Sequence, residues 1–158
     1  MNERALDAID QQILAILQAD GRITNVALAE RLGLSPPPCL RRVKALEERG
    51  YITGYQAQIN ASKLGFGVTA FAFVGLSSQA ETDLNAFETL ANSWPEVRSC
   101  YRLSGEIDYI LKIVAQDLER FQGFINQKLT GAANVSQVKT SLCIKASVMK
   151  PGVPLEID

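Results

Sequence analysis

The sequence predicts an α+β fold of two domains, a winged helix-turn-helix followed by a ferredoxin-like βαββαβ sandwich. Apolar residues recur every three or four positions over the first 60 residues, which is the helical period. Over residues 68–150, apolar strands alternate with two helical segments, which indicates one sheet covered by two helices. We expect the domains to span residues 1–60 and 68–150, with a linker at 61–67 and a loose tail at 151–158.

The composition removes most common catalytic and metal-binding sites. The 158 residues include no histidine, which excludes serine–histidine triads and histidine zinc sites. The three cysteines are far apart, and no phosphate-binding glycine loop is present. We therefore expect no catalytic residue, no metal and no cofactor. Apolar runs are too short to span a membrane and no secretion signal is visible, so the expected location is the cytoplasm.

Three helices are predicted in the first domain, each bounded by capping or helix-breaking residues. These residues are Asp7, Asp20, Thr24 or Asn25, Gly33, Ser35 and Gly50. The third helix is expected to carry Leu40, Val43 and Leu46 on its core face. Residues 51–60 are predicted to form a short hairpin with Gly54 at its turn, which is the wing.

Basic residues on the third helix indicate nucleic acid as a partner. Residues 1–60 carry seven Lys or Arg and seven Asp or Glu, yet residues 35–49 have a local charge of +2. We expect Arg41, Arg42 and Lys44 to face away from the core, where a helix in the DNA major groove needs them. From charge alone, an ordinary solvated helix face explains the pattern equally well.

Three consecutive prolines follow Ser35 at the start of this helix. Because proline has no N–H, the Ser35 hydroxyl cannot accept its usual capping bond and is free to meet a DNA phosphate. Proline also disfavours helical geometry in the residue before it, so the helix is expected to begin near Pro37 or Pro38.

The second domain is predicted from a change in the hydrophobic period. Strands are expected at residues 68–76, 97–103, 108–115 and 137–148, and helices over residues 84–91 and 118–129. Phe71, Phe73 and Tyr101 cannot all fit beneath two helices. A bare apolar sheet face predicts a homodimer that forms sheet to sheet.

The segment 103–109 connects two of these strands and contains groups that suit a free amino acid. Gly105 can adopt a positive φ and expose backbone N–H groups, which suit a carboxylate, whereas Asp108 suits an ammonium. From composition alone, an ordinary hairpin turn with one exposed acid explains this segment more simply.

Ordered motifs run through the first domain at residues 10–14, 20–23, 28–35, 39–47 and 50–52. Together they resemble the Lrp/AsnC family, the feast/famine transcriptional regulators. The resemblance implies binding of double-stranded DNA by the third helix. Relatives commonly have a hydroxyl or another small residue where this chain has Pro37, so a family contact is expected to be lost there. The candidate DNA-binding residues are Ser35, Pro37, Arg41, Arg42 and Lys44.

The resemblance extends to the second domain through the Ser-Gly-x-x-Asp-Tyr segment at residues 104–109. It implies an amino acid effector bound at this turn between dimers, and dimers that assemble into octamers or larger discs. The candidate effector-binding residues are Leu103, Ser104, Gly105, Ile107, Asp108, Tyr109, Thr140 and Ser141. The alternatives are an architectural DNA-compacting protein without an effector and, less favoured, a small-molecule enzyme on a ferredoxin-like fold.

Overall fold

A computed structural model describes residues 6–155 of the chain. Within them the chain forms two compact units, one of residues 6–58 together with 148–155 and the other of residues 59–147. None of the helices in the described residues is both long enough and apolar enough to cross a membrane.

The first unit contains the three predicted helices, α1 (Ala8–Ala19), α2 (Asn25–Arg31) and α3 (Pro36–Glu48). The Asp7 carboxylate accepts the backbone N–H of Asp10, and Thr24 Oγ1 accepts the N–H of Ala27. These bonds confirm Asp7 as the N-cap of α1 and show that Thr24, and not Asn25, is the N-cap of α2. The helices enclose a small core, whose buried residues are Ile13, Leu28, Ala29, Cys39 and Leu46.

The predicted hairpin of the wing is wrong, because residues 51–60 form no regular strand. The N–H groups of Tyr51 and Ile52 both donate to the carbonyl of Leu46 at the end of α3, at 2.9 and 3.2 Å. Donors that satisfy the end of a helix are not available to pair with a neighbouring strand. The first two residues of the wing therefore close the end of the third helix.

The second unit has the predicted βαββαβ order. Its elements are β1 (Val68–Leu76), α4 (Glu81–Ser93), β2 (Val97–Arg102), β3 (Tyr109–Ala115), α5 (Leu118–Phe124) and β4 (Val135–Leu142), with a π-helical turn (Ile125–Leu129) after α5. The strands lie in the antiparallel order β2-β3-β1-β4, which confirms the ferredoxin-like arrangement. Alternate residues of β1 and β3 pack beneath α4 and α5, where Phe87, Trp94 and Phe124 form the aromatic centre of the core.

The last strand is shorter than predicted. It was expected to run to residue 148, but β4 ends at Leu142, which pairs with Ala70 near the start of β1. The N–H of Cys143 donates to Thr69 at 2.8 Å, and beyond this bond β1 provides almost no further partner. The side chain of Ile144 is consequently fully exposed, although the alternating pattern of the sequence continues through it.

The face of the sheet away from the helices, which we call the open face, combines apolar side chains with Lys112, Lys139 and Ser141. It carries Phe71 and Phe73 from β1 and Ile110 from β3, all half-buried, with Tyr101 of β2 paired with Ile110 and 62% exposed. The structure confirms that these side chains lie outside the helical layer. Neighbouring apolar side chains that no helix covers are typical of an interaction surface.

The C-terminal segment differs from the loose tail that the sequence predicts. Residues 150–155 pack against the last turn of α1, where the Gln18 side chain donates to the Val153 carbonyl at 2.9 Å and accepts the Val153 N–H at 3.1 Å. Gly152 has a φ of 66°, and a β-carbon at this position would overlap the Gln18 amide. The segment is therefore held to α1 by a specific contact.

Candidate functional site

The start of α3 has no conventional cap. Ser35 occupies the N-cap position with extended backbone angles, and its side chain makes no capping hydrogen bond, as the sequence predicts. The first N–H of the helix belongs to Cys39 and donates to the Ser35 carbonyl at 3.3 Å. The exposed Ser35 hydroxyl is thus free of the helix that it precedes.

The helix nevertheless begins at Pro36, and the prediction of a start near Pro37 or Pro38 is wrong. Proline holds φ close to its helical value, and the first N–H groups of a helix have no partner within it in any case. These two effects overcome the preference of a residue before proline for extended geometry. The Asn25 side chain also donates to the Pro36 carbonyl at 2.8 Å, which ties this end of α3 to α2.

The exposed face of α3 carries part of the predicted DNA-binding set. Pro37, Arg41 and Lys44 are exposed and lie four and three residues apart, so they share one side of the helix. Cys39 and Leu46 are buried on the opposite side, whereas Leu40 is 42% exposed. The prediction that Leu40 belongs to the core face is wrong, because Cys39 occupies that place.

Arg42 does not face solvent with the other basic residues. Its Nη1 atom lies 2.7 Å from a carboxylate oxygen of Asp7 and 2.7 Å from one of Asp10, so its side chain is turned towards α1. The hydrogen bonds of Asp7 and then of Asp10 raise the pKa of the Arg42 guanidinium. This placement differs from the expectation that Arg42 faces away from the core, and its physical reason is the pair of carboxylates at the start of α1.

The turn between β2 and β3 is open to solvent. The N–H of Leu103 donates to the Asp108 carbonyl at 2.8 Å and closes the turn, while Ser104 and Gly105 are exposed and Ile107 is half-buried. Gly105 has a φ of 140°, which confirms the positive φ that its sequence position predicts. This conformation is essentially restricted to glycine.

Asp108 is not the exposed acid that the sequence predicts. It is 9% exposed, and its two carboxylate oxygens accept the backbone N–H of Leu76 at 2.7 Å and the side-chain N–H of Gln79 at 2.9 Å. The Asp108 N–H also donates to the Val74 carbonyl at 3.0 Å. Asp108 therefore fastens the turn to the end of β1, and a ligand ammonium would have to share its carboxylate.

Tyr109 is fully buried, and its hydroxyl donates to the Glu88 carboxylate of α4 at 2.9 Å. The same carboxylate lies 2.7 Å from Nη2 of Arg102 on β2. Burial, and then the Glu88 carboxylate, raises the pKa of Tyr109 to about 12. These three side chains line an open pocket of about 320 Å³ between α4 and β2. The sequence analysis named Tyr109 as an effector-binding candidate but missed Glu88 and Arg102. Glu81 and Glu88 stand seven residues apart on one side of α4, and both contact Arg102.

Thr140 and Ser141 are both exposed but lie on opposite sides of the sheet. Thr140 is paired with Ala72, whose side chain is in the core, whereas Ser141 is paired with Phe71 on the open face. Because successive residues of a strand alternate between faces, the two hydroxyls of one protomer cannot contact the same small ligand. In the described part of the chain, no three His, Cys, Asp or Glu side chains are grouped in a way that could hold a metal ion.

The chain is similar to known proteins over both units. Residues 6–53 match the model of a winged helix-turn-helix DNA-binding domain, and residues 69–153 match the Lrp/AsnC ligand binding domain. A leucine-responsive regulatory protein of Rhizobium meliloti is 54% identical over 140 residues, which cover 89% of this chain and 90% of the relative. The Bkd operon transcriptional regulator of Pseudomonas aeruginosa is 37% identical over 150 residues, which cover 95% of this chain and 98% of the relative.

A solved structure has the same fold. A transcriptional regulator from Neisseria meningitidis, crystallised as an L-Met complex, matches with a TM-score of 0.90 at 37% identity, covering 96% of this chain and 97% of that one. The similarity covers both domains and nearly the whole length of the chain. It therefore includes the exposed basic face of α3 and the ferredoxin-like second unit. The chain belongs to the Lrp/AsnC family of transcriptional regulators.

Proposed function

We propose that this regulator binds double-stranded DNA through the exposed face of α3 and that its assembly or DNA binding responds to a free amino acid. DNA binding by α3 is supported by one observation. Pro37, Arg41 and Lys44 are exposed on the same side of the helix, and Ser35 lies at the N-terminal end of α3. Guanidinium and ammonium groups on such a face suit phosphates and guanine edges. We also propose a cytoplasmic location, where the protein would have access to the chromosome.

Substitution of Arg41 and Lys44 tests the DNA-binding face. Duplexes selected by the wild-type protein from a random pool serve as probes, and affinity is measured by fluorescence anisotropy at several salt concentrations. Arg41→Ala or Lys44→Ala should weaken binding by about 1–3 kcal/mol if the side chain reads a base. Arg98→Ala, at an exposed position in the second unit, is the matched control. Wild-type affinity in both α3 variants, with folding intact, would remove α3 from the interface.

The proposed effector site is the exposed turn formed by Leu103, Ser104, Gly105 and Ile107. Backbone N–H groups beside Gly105 would hold the carboxylate of a free amino acid, and Asp108 would share its carboxylate with the ammonium. Isolated exposed ion pairs contribute only about 0–1 kcal/mol, so the turn must be sheltered when the ligand binds. A contact between dimers would provide this shelter and would couple ligand binding to assembly.

A thermal-shift screen of the twenty amino acids tests the effector. L-methionine and L-leucine come first, because they occur in the names of a solved relative and of a similar regulator. An amino acid that binds only the folded protein raises its stability by RT ln(1 + [L]/Kd). Ser104→Ala and Gly105→Ala should reduce the shift, while Ser93→Ala on α4 should not. No shift with any amino acid would contradict the proposal.

We further propose a homodimer that forms through the open sheet face and assembles into octamers. The half-buried Phe71 and Phe73 are the supporting observation, because apolar surface of this kind is normally covered. Phe73→Lys should yield monomers in analytical ultracentrifugation, whereas Leu118→Lys, at an exposed apolar position on α5, should not. A Phe73→Lys protein that is still dimeric would exclude this face.

The internal role of Asp108 favours one other candidate, an architectural DNA-binding protein that needs no effector. The Asp108 carboxylate already accepts hydrogen bonds from Leu76 and Gln79, so the turn needs no ligand to satisfy this acid. In that case DNA binding and assembly would be the same with and without each of the twenty amino acids.

A further inference from the structure

We propose that Arg42 is a positioning residue that fixes α3 against α1, and that it binds no DNA phosphate itself. This inference rests on the proposed DNA-binding role of α3. In this view Arg41 and Lys44 contact DNA, whereas Arg42 contacts α1, although the three basic residues are close neighbours in sequence.

The site that receives Arg42 is already organised by α1. Asp7 is the N-cap and accepts the Asp10 N–H at 2.9 Å, while the Asp7 N–H lies 3.5 Å from the Asp10 carboxylate. This reciprocal capping box orients both carboxylates before α3 contributes anything. Arg42 Nη1 then meets both carboxylates at 2.7 Å and joins the start of α1 to the middle of α3.

Burial makes this arrangement difficult to exchange for a DNA contact. Asp10 is 5% exposed, and a buried carboxylate that loses its cation is strongly destabilising. Both carboxylates already contact Nη1 of Arg42 at 2.7 Å, so a phosphate that bound this atom would have to displace one of them.

Arg41 and Lys44 have the opposite surroundings. Both are exposed, and neither makes an ion pair with any of residues 6–155. Their charges are available to a phosphate or a base edge. Polar contacts at the two ends of α3 complete its attachment, since Asn25 donates to Pro36 at 2.8 Å and the Tyr55 hydroxyl donates to Glu47 at 2.9 Å. Arg42 holds the turn of the helix that lies between these two ends.

The salt dependence of DNA binding distinguishes a positioning residue from a phosphate contact. The full-length protein is titrated onto one selected duplex, and log Kobs is plotted against log salt. Removal of a phosphate contact lowers the slope by about 0.9 per contact. We expect Arg41→Gln to lower the slope if Arg41 contacts a phosphate. We expect Arg42→Gln to weaken binding about tenfold, which corresponds to about 1.4 kcal/mol, without a change in slope.

A rescue experiment adds an independent readout. In Arg42→Gln the buried Asp10 carboxylate lacks its cation, and Asp10→Asn removes that charge while keeping a side-chain oxygen that can accept the Asp7 N–H. The double variant Asp10→Asn/Arg42→Gln should therefore recover much of the DNA affinity and melting temperature lost in Arg42→Gln. Asp10→Asn should restore nothing in Arg41→Gln, which is the matched control.

The outcomes separate this inference from the proposed function. A slope that falls by about 0.9 in Arg42→Gln, with no rescue by Asp10→Asn, would overturn the positioning role. If the wild-type protein selects and binds no duplex, the proposed function of α3 fails. The melting temperatures of the single and double variants still decide whether Arg42 and Asp10 are coupled, because that cycle needs no DNA.

Discussion

Replacement of Asp108 by alanine should destabilise the second unit even when no effector is present. The backbone N–H of Leu76 is the reason, because it donates to the Asp108 carboxylate at 2.7 Å in a buried position. Asp108→Ala leaves this donor without a partner, and a buried unsatisfied donor costs about 1–3 kcal/mol. The second bond, from the exposed Gln79 side chain at 2.9 Å, contributes little because that amide can turn to water. The expected loss is about 2 kcal/mol.

The chain contains one tryptophan, which makes the assay selective. Trp94 lies in the core of the second unit against Phe87 and Phe124, so its fluorescence reports the unfolding of that unit. With a urea dependence of about 1–2 kcal/mol per molar, a loss of about 2 kcal/mol lowers the urea midpoint by about 1–2 M. All variants are compared at one protein concentration, because assembly adds to apparent stability.

Two variants complete this test. Asp108→Asn keeps an oxygen that can accept the Leu76 N–H, so it should lose less stability than Asp108→Ala. Glu106→Ala removes an exposed acid from the same turn and should leave the midpoint unchanged. Equal midpoints for Asp108→Ala and Glu106→Ala would refute the reasoning, and Asp108 would then be an ordinary surface acid.

The remaining predictions concern acid stability and the C-terminal segment. The Tyr109 hydroxyl, followed by Arg102, lowers the pKa of Glu88 below its unfolded value, which is about 4.3. Glu88 therefore adds stability above that pH, and this stability is lost as the pH falls through the folded pKa. In Tyr109→Phe the urea midpoint should fall less between pH 7 and pH 3 than it does in the wild type. The same fall in both proteins would contradict this role of the Tyr109 hydroxyl. Gly152→Ala should expel the C-terminal segment from Gln18, because a β-carbon there overlaps the amide and φ is 66°. Faster hydrogen exchange of the Val153 N–H, which Gln18 accepts, is the expected result, and an exchange rate equal to that of the wild type would show that the contact contributes nothing.

The elements of this fold could be predicted from the sequence because each depends on residues close to it in the chain. Strand β1 was predicted at residues 68–76 and is found there, and Asp7 and Thr24 cap the helices that follow them. The lack of a capping bond at Ser35 was also predictable, since it depends only on the three prolines that follow. The order of strands followed from the order of elements, because βαββαβ chains have few compact arrangements.

The candidate site was predicted less completely, because the orientation of a side chain depends on distant partners. The sequence by itself determined the family, the two domains, the basic character of α3 and the turn at Gly105. Only the tertiary structure decided that Arg42 faces α1, that Asp108 is buried beside Leu76, and that β4 ends at Leu142. The physical reason is the same in each case. Local sequence does not decide which side chains of a helix or strand become covered, because that depends on the element that packs against it. The partners in these three cases are the carboxylates of α1, the N–H of Leu76 at the end of β1 and the first residues of β1. Each lies far along the chain from the residue that it positions.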